Sequence, residues 1–252
     1  MNIPYQNMEI ERIYTQLFSN ANTAIAICSA EQGEGVTSLA FALAQRNLLA
    51  GHSTLLVDLN LFRPAIKGVL DLQTELNGGQ SVSGTSNLIN NSTINTFLNQ
   101  PQLVFSVDST IVVNGVTAPL KREHIIKLRQ PGVLENCIEQ WLNDYDTVII
   151  DTSPLNRLNA QNIPAERVAA ACDGAVLIVL ASQTSEASVN SALTKLNNAN
   201  ALLLGSVFND RDNPTLKAEL LREVTRIPRF FNWLRNGLCK MINKSRLLTL
   251  EI

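Results

Sequence analysis

Residues 29–38, Ser-Ala-Glu-Gln-Gly-Glu-Gly-Val-Thr-Ser, lie between an apolar run at 23–28 and an Ala/Leu-rich helical pattern at 39–50. Strand, glycine turn, helix is the order in which backbone N–H groups and a helix N-terminus hold phosphate. Such a loop asks for Gly, four residues, then Gly-Lys-Ser/Thr. Here Ala30 takes the place of the first glycine, Gly35 and Thr37 fall in register, and Val36 stands where the lysine belongs. The stretch makes Gly33, Glu34, Gly35, Val36, Thr37 and Ser38 candidates for nucleotide binding, with the Thr37 hydroxyl placed for Mg²⁺. The cradle is present and its cation is not.

Working outward, residues 7–19 (NMEIERIYTQLFS) place Ile10, Ile13, Tyr14 and Leu17 on one helical face. Gly51-His52 marks a helix end, followed by a strand at 54–57 that closes on Asp58. Residues 59–70, with Arg63-Pro64, predict a short helix, and 73–102 is an Asn/Ser/Thr/Gly-rich polar surface insertion with helical pieces at 88–98. A strand at 103–107, a basic stretch at 121–124 and a helix near 132–143 come next. YDTVIID, 145–151, is a short apolar strand ending in Asp151. Two further buried strands are expected at 174–181 (GAVLIVLA) and 202–208 (LLLGSVF), with a helix at 185–198 between them.

Continuous apolar strands alternating with helices predict an α/β fold, a mostly parallel sheet with helices on both faces. In such a sheet the loop, Asp58 and Asp151 share the edge where open α/β folds bind ligands. Asp58 and Asp151 are therefore the candidate catalytic carboxylates and, with Thr37, the candidate metal holders. There is no internal repeat, and the reading is a single domain over 1–252 with an N-terminal helix within 1–20.

Composition narrows the function. At 252 residues, 45% hydrophobic, 17% charged and net charge −2, the chain suits one sizeable core and gives no case for nucleic acid. Cys28, Cys137, Cys172 and Cys239 form no CxxC pair, and with His52 and His124 as the histidines they argue against zinc and for reduced thiols in the cytoplasm. The N-terminus has no signal-peptide pattern, and no apolar run approaches the roughly 20 residues that span a bilayer.

With these residues in place, the chain resembles the cytoplasmic domain of bacterial tyrosine kinases (BY-kinases), within the MinD/ParA group of P-loop proteins. The resemblance covers about residues 9–210. It rests on Gly33-Glu34-Gly35 and on LLVDLNLFRP at 55–64, similar to the family's second Walker motif. It rests also on DTVIIDTSP at 146–154, on Asp173-Gly174 and on Val207-Phe208-Asn209. It implies ATP or ADP with Mg²⁺ as cofactors, Asn209 as the contact to adenine, and assembly into a homo-oligomer. It further implies work in exopolysaccharide or capsule synthesis and export, on the inner face of the membrane, beside a membrane polysaccharide co-polymerase (a chain-length regulator) or secretion complex.

The departures cluster at the chemistry. The loop lysine is Val36, and the signature lysine of MinD-type loops falls at Glu31. With Glu34, that places two acids in a loop meant for an anion. Asn60 replaces an aspartate and Phe62 an arginine. The tyrosine-rich tail is absent, Tyr5, Tyr14 and Tyr145 being the chain's tyrosines, and the Glu-x-x-Arg-x-x-Arg oligomerisation pattern reads Glu9, Arg12, Thr15. Phosphoryl transfer depends on positioned positive charge, so the expectation is a non-catalytic or weakly active relative that binds nucleotide weakly. The alternatives are a slow ATPase or kinase and a MinD-like positioning factor.

In the tail, 226–252, residues 226–246 (RIPRFFNWLRNGLCKMINKSR) carry six Lys/Arg and no acid. A helix would group Phe230, Leu234, Leu238, Met241 and Ile242, so the face from Phe230 to Ile242 is expected to rest on an anionic membrane surface. The competing expectation is a last helix packed into the fold.

Overall fold

The computed structural model describes residues 5–19, 22–64, 101–105, 111–117, 119, 121–157, 162–211, 216–226 and 232–244. The insertion expected at 73–102 falls, except for 101 and 102, outside the described residues, as do 65–70 of the short helix expected at 59–70. The chain packs as two compact units, Met1–Asn209 and Asp210–Ile252, where the single-domain reading draws no boundary.

In the first unit the chain order is α1 (Met8–Phe18), β1 (Ala24–Ser29), α2 (Val36–Leu49), β2 (Thr54–Asp58), β3 (Gln102–Phe105) and β4 (Val112–Thr117). It continues with α3 (Arg122–Leu128), α4 (Val133–Asp144), β5 (Thr147–Asp151), α5 (Ala165–Ala170), β6 (Gly174–Leu180), α6 (Glu186–Asn198) and β7 (Leu203–Asn209). The strands form one seven-stranded sheet in the order β3-β4-β2-β5-β1-β6-β7. Every pairing is parallel except β3 with β4. This is the doubly wound, P-loop NTPase-like fold.

The central strands are buried from end to end because both faces are covered, which is why their sequences read as apolar runs. Alternate residues serve opposite layers. Ala24, Ala26, Cys28, Leu55, Val57, Val148 and Ile150 pack with Leu128, Leu134, Ile138, Trp141 and Val168 from α3, α4 and α5. Ile25, Ile27, Leu56 and Ile149 pack with Leu39 and Leu43 of α2 and Ile10 and Leu17 of α1. The small residues of β1 on the first face leave room for the bulky Trp141 and Leu134 opposite. Helix α1 is fastened to α2 by Arg46, which bonds both carboxylate oxygens of Glu11 at 2.5 and 2.7 Å and lies 4.5 Å over the Tyr14 ring.

Three details differ from the sequence expectations. Strand β4 and helices α3 and α5 are additions to the elements predicted for this unit, and the stretch read only as basic at 121–124 opens α3. The strand expected at 103–107 is Gln102–Phe105, with 106–110 outside the described residues. The strand expected to be buried at 202–208 is an edge strand: among the described residues β7 pairs only with β6, and Phe208 is 74% exposed. Its apolar composition reflects one covered face, not two. A groove of about 600 Å³ between α6 and β7, lined in part by Leu193, Leu196, Ala201 and Leu203, opens at the N-terminal end of this strand, away from the glycine loop.

The second unit holds α7 (Leu216–Thr225) and α8 (Asn232–Lys244), packed on each other. The helix expected over 226–246 is thus described only as α8. Within it Ile242 is buried and Met241 exposed. No helix among the described residues is long and apolar enough to cross a membrane.

Candidate functional site

The site is built where β1, β2 and β5 end together. Parallel register sets Asp58 opposite Asp151, so two carboxylates close adjacent strands at the same level. Both side chains are buried. Thr37, in the first turn of α2, donates its hydroxyl to Asp151 Oδ2 at 2.5 Å, while Asp151 Oδ1 is buried without a hydrogen-bond partner. Burial, and then the neighbouring Asp58 carboxyl, hold Asp151 well above the ordinary carboxylate range, against the opposing pull of the Thr37 hydroxyl. Asn60, in the place of an acid, donates its backbone N–H to Asp58 Oδ1 at 3.0 Å and accepts from Arg63 N at 3.3 Å, shaping the turn after β2.

The loop itself is folded as a phosphate cradle. Gly33 and Gly35 have φ of +85° and +107°, and Gly35 is the residue on which α2 begins. A Cβ on Gly35 would lie 2.6 Å from Asn209 Nδ2, so glycine is required there for space as well as for backbone conformation. Helix α2 starts with no side-chain cap, leaving its N-terminal end for a ligand anion.

Val36 is turned inward. Its side chain is 7% exposed and belongs to the apolar layer of Ile25, Ile27, Leu39 and Ile178. Ser38 sits one residue further into α2 than Thr37 and is half-buried. The two acids of the loop are engaged outside the cradle. Glu34 is buried, accepts from Ala30 N at 2.9 Å, and accepts from the Thr184 hydroxyl beyond β6. Glu31 accepts from Ser188 Oγ at 2.6 Å and from Asn156 Nδ2 at 3.4 Å, and these donors, Ser188 first, hold its carboxyl below the ordinary range. Each acid therefore has local partners and opposes a phosphate less than its place in the sequence suggests.

Asn209 also lies at the loop, at the end of β7. Its amide donates to Glu34 O at 2.8 Å, bracing the loop's backbone. Every residue proposed from the sequence for the nucleotide and metal site thus falls at the C-terminal ends of the parallel strands or in the loop and helix start that follow β1. Sequence reasoning misses the bracing set, Thr184, Ser188, Asn156 and Arg157, which sits some 120–160 positions away in stretches with no motif of their own. The one signal for it is the polar Asn156-Arg157 pair that follows closely on the strand-and-turn DTSP.

The donor set fits a magnesium nucleotide in part. Thr37 Oγ1 and the unpartnered Asp151 oxygen, with Asp58 beside them, would hold the metal, which supplies charge neutralisation for phosphate oxygens when bound. Gly33–Ser38 would receive the phosphates. The position of the loop lysine contributes nothing, because Val36 is part of the core. The cysteines Cys28 and Cys137 take no part: burial pushes the Cys28 thiol up to about 12 and that of Cys137 to about 11, so both stay protonated at neutral pH.

Known proteins resemble this chain in sequence and in fold. The chain is 30% identical over 203 residues to a tyrosine-protein kinase CpsD of Streptococcus agalactiae, covering 79% of this chain and 80% of the relative. It is 28% identical over 196 residues to the putative tyrosine-protein kinase CapB of Staphylococcus aureus, covering 77% and 78%. Among solved structures, the kinase domain of the Escherichia coli tyrosine kinase ETK superposes with a TM-score of 0.58 at 16% identity, over 82% of this chain and 80% of that one. Cobyrinic acid a,c-diamide synthase from Mycobacterium smegmatis, solved with bound ADP and magnesium, gives 0.52 at 15% identity over 82% of each chain. No family model matches the sequence. A glycine loop, a Thr37–Asp151 bond and a paired Asp58, on a fold shared with a kinase domain and in a sequence 30% identical to CpsD, lead to one conclusion: this chain belongs to the bacterial tyrosine kinase (BY-kinase) family of CapB and CpsD.

Proposed function

We propose that the chain is a non-catalytic, nucleotide-responsive member of its family. In this reading it works in capsule or exopolysaccharide synthesis and export, as a cytoplasmic partner of a membrane polysaccharide co-polymerase. The observation that carries the reading is Val36: the residue that should present a cation to the phosphates is packed inside the apolar layer beneath the loop. The transition state of phosphoryl transfer gathers charge on the transferred group, and a site without its lysine stabilises that charge least well at the moment it matters. Binding suffers less than turnover. The glycine cradle and Thr37 remain, and the relatives' names support a kinase ancestry.

In such a protein the bound nucleotide is a signal. Its phosphates would touch the loop that Asn209, Thr184 and Ser188 brace, so occupancy would be felt at the ends of β6 and β7 and carried to a partner. A second reading, slow ATP hydrolysis, draws support from the intact Thr37–Asp151 bond and the paired Asp58. Incubating the purified chain with ATP·Mg²⁺ and mapping phosphotyrosine by mass spectrometry tests the first. The expected result is no modification; phosphate on Tyr5, Tyr14 or Tyr145 would overturn it. Release of inorganic phosphate at a rate that Asp58→Asn abolishes would favour the second.

A further inference from the structure

We infer that Arg157 is the cation that meets the phosphates in place of the missing lysine, and that Glu31 holds it in reserve while the loop is empty. The inference rests on the proposed binding of a nucleotide in the loop and names the group that makes such binding workable. The sequence after β5 is stitched to the start of the loop: Leu155 N donates to Ser29 O at 2.9 Å and Asn156 N to Ala30 O at 3.1 Å. Arg157 follows immediately, in a turn closed by its own N–H to Pro154 O at 3.1 Å. Its Nε lies 3.6 Å from Glu31 Oε2, and the side chain is 57% exposed.

Among the described residues, the contacts tie two cations to this corner. Lys195 is committed: its Nζ donates to Leu155 O at 2.7 Å and to Asn156 Oδ1 at 3.1 Å. Arg157 is held differently. A 3.6 Å contact between partly exposed groups is a loose ion pair, of the kind that contributes little and is readily exchanged. Glu31, by contrast, keeps Ser188 and Asn156 as donors if the guanidinium leaves. The arrangement is therefore asymmetric: the acid is fixed from behind and the base can swing away from it.

A phosphate chain at the start of α2 offers several oxygens and more charge than one carboxylate, and guanidinium matches phosphate geometry with two parallel bonds. The exchange costs one weak contact and gains a charge-assisted pair. It also gives Glu31 a role: until the ligand arrives its carboxylate occupies the guanidinium, and it competes with the phosphates for it. Because the cation comes from a loop and not from α2, its position relative to the transferred phosphate is less rigid than a lysine at 36 would be. Binding is restored more than turnover.

The test is calorimetric titration of the full chain with ADP·Mg²⁺ at low salt, on wild type, Arg157→Ala, Arg157→Lys, Glu31→Gln and the Glu31→Gln/Arg157→Ala pair, each with a melting curve. Arg157→Ala is expected to weaken binding about ten- to a hundredfold, the span of one charge-assisted contact, and Arg157→Lys to recover part of it. Glu31→Gln is expected to tighten binding, and to lose that effect when Arg157 is absent. A purely structural ion pair would make both single changes act in the same direction, on melting and on affinity alike. Wild-type affinity in Arg157→Ala, with wild type itself binding ADP, overturns the inference and leaves the nucleotide reading standing. Wild type and Glu31→Gln that both fail to bind at millimolar ADP overturn the two together.

Discussion

Restoring the lysine at position 36 sets fold and function against each other in a measurable way. Val36 is 7% exposed among Ile25, Ile27 and Leu39. In Val36→Lys the four-carbon stem can occupy much of that volume, but the ammonium must reach the cradle, and some apolar contact is lost. Burial of a valine side chain is worth about 1.5 kcal/mol at the low end of its class, so a loss of ~1–2 kcal/mol is expected in the empty protein. At ~2–4 °C per kcal/mol for a chain of this size, the apo melting temperature should fall by several degrees. The ligand acts oppositely. A lysine ammonium on phosphate adds a charge-assisted bond of ~1.5–3 kcal/mol, which tightens ADP·Mg²⁺ by about ten- to a hundredfold. At a ligand concentration about 100 times the dissociation constant, binding contributes ~2.7 kcal/mol to stability, enough to offset the loss. The variant should therefore melt below wild type without ADP·Mg²⁺ and at or above it with ligand. Scanning fluorimetry across an ADP series reads both arms. A variant that folds, melts lower and shows no gain in ADP affinity would refute the reasoning, because it would mean that the loop is not a phosphate cradle.

The remaining expectations concern pH and the tail. Asp151 titrates at about 4 when unfolded and well above that in the fold, so between those values the native state keeps a proton that the unfolded chain has released, and stability falls as pH rises through the window. Asp151→Asn should remove that decline, making the empty protein more stable than wild type at neutral pH and similar at low pH, while weakening Mg²⁺-dependent ADP binding. Urea titrations from acid to neutral pH check it, and a variant less stable than wild type at neutral pH would contradict it. In α8, Ile242→Glu should lower the melting temperature, since Ile242 is buried, whereas Met241→Glu should leave it unchanged. If the tail rests on a membrane, Met241→Glu should also reduce sedimentation with anionic liposomes at low salt, and wild type that ignores such liposomes would sink the membrane reading.

How far the sequence speaks for itself depends on whether a residue's surroundings are local. Strands β1, β5 and β6 announce themselves because burial on both faces confines polar residues to their ends. Strand β4, Val112–Thr117, carries Asn114-Gly115, a pair that reads as a turn signal, and its outer neighbour β3 gives it cover that no local pattern encodes. Strand β7 has the composition of a central strand but the position of an edge, and position is decided by strand order, which composition does not report. At the site, Thr37, Asp58 and Asp151 are legible because each is fixed to a strand end or a helix start by its own sequence. The engagement of Glu34 with Thr184 is not, since its partner lies 150 positions away, and the inward turn of Val36 is set by a layer in which the distant Ile178 joins its near neighbours.

The bracing of the loop has a consequence for how such a protein can change over generations. Its shape is held by Glu34 on Ala30 and Thr184, by Asn209 on Glu34, and by Ser188 on Glu31. None of these bonds involves position 36. A lysine there would serve the ligand and the reaction and not the shape of the loop, so a valine in its place leaves the scaffold intact and adds an apolar side chain to the layer beneath. Selection for a well-folded partner and selection for a phosphoryl-transfer catalyst are thus separable in this architecture, residue by residue. One substitution removes the cation from the loop and leaves every bond that braces it in place.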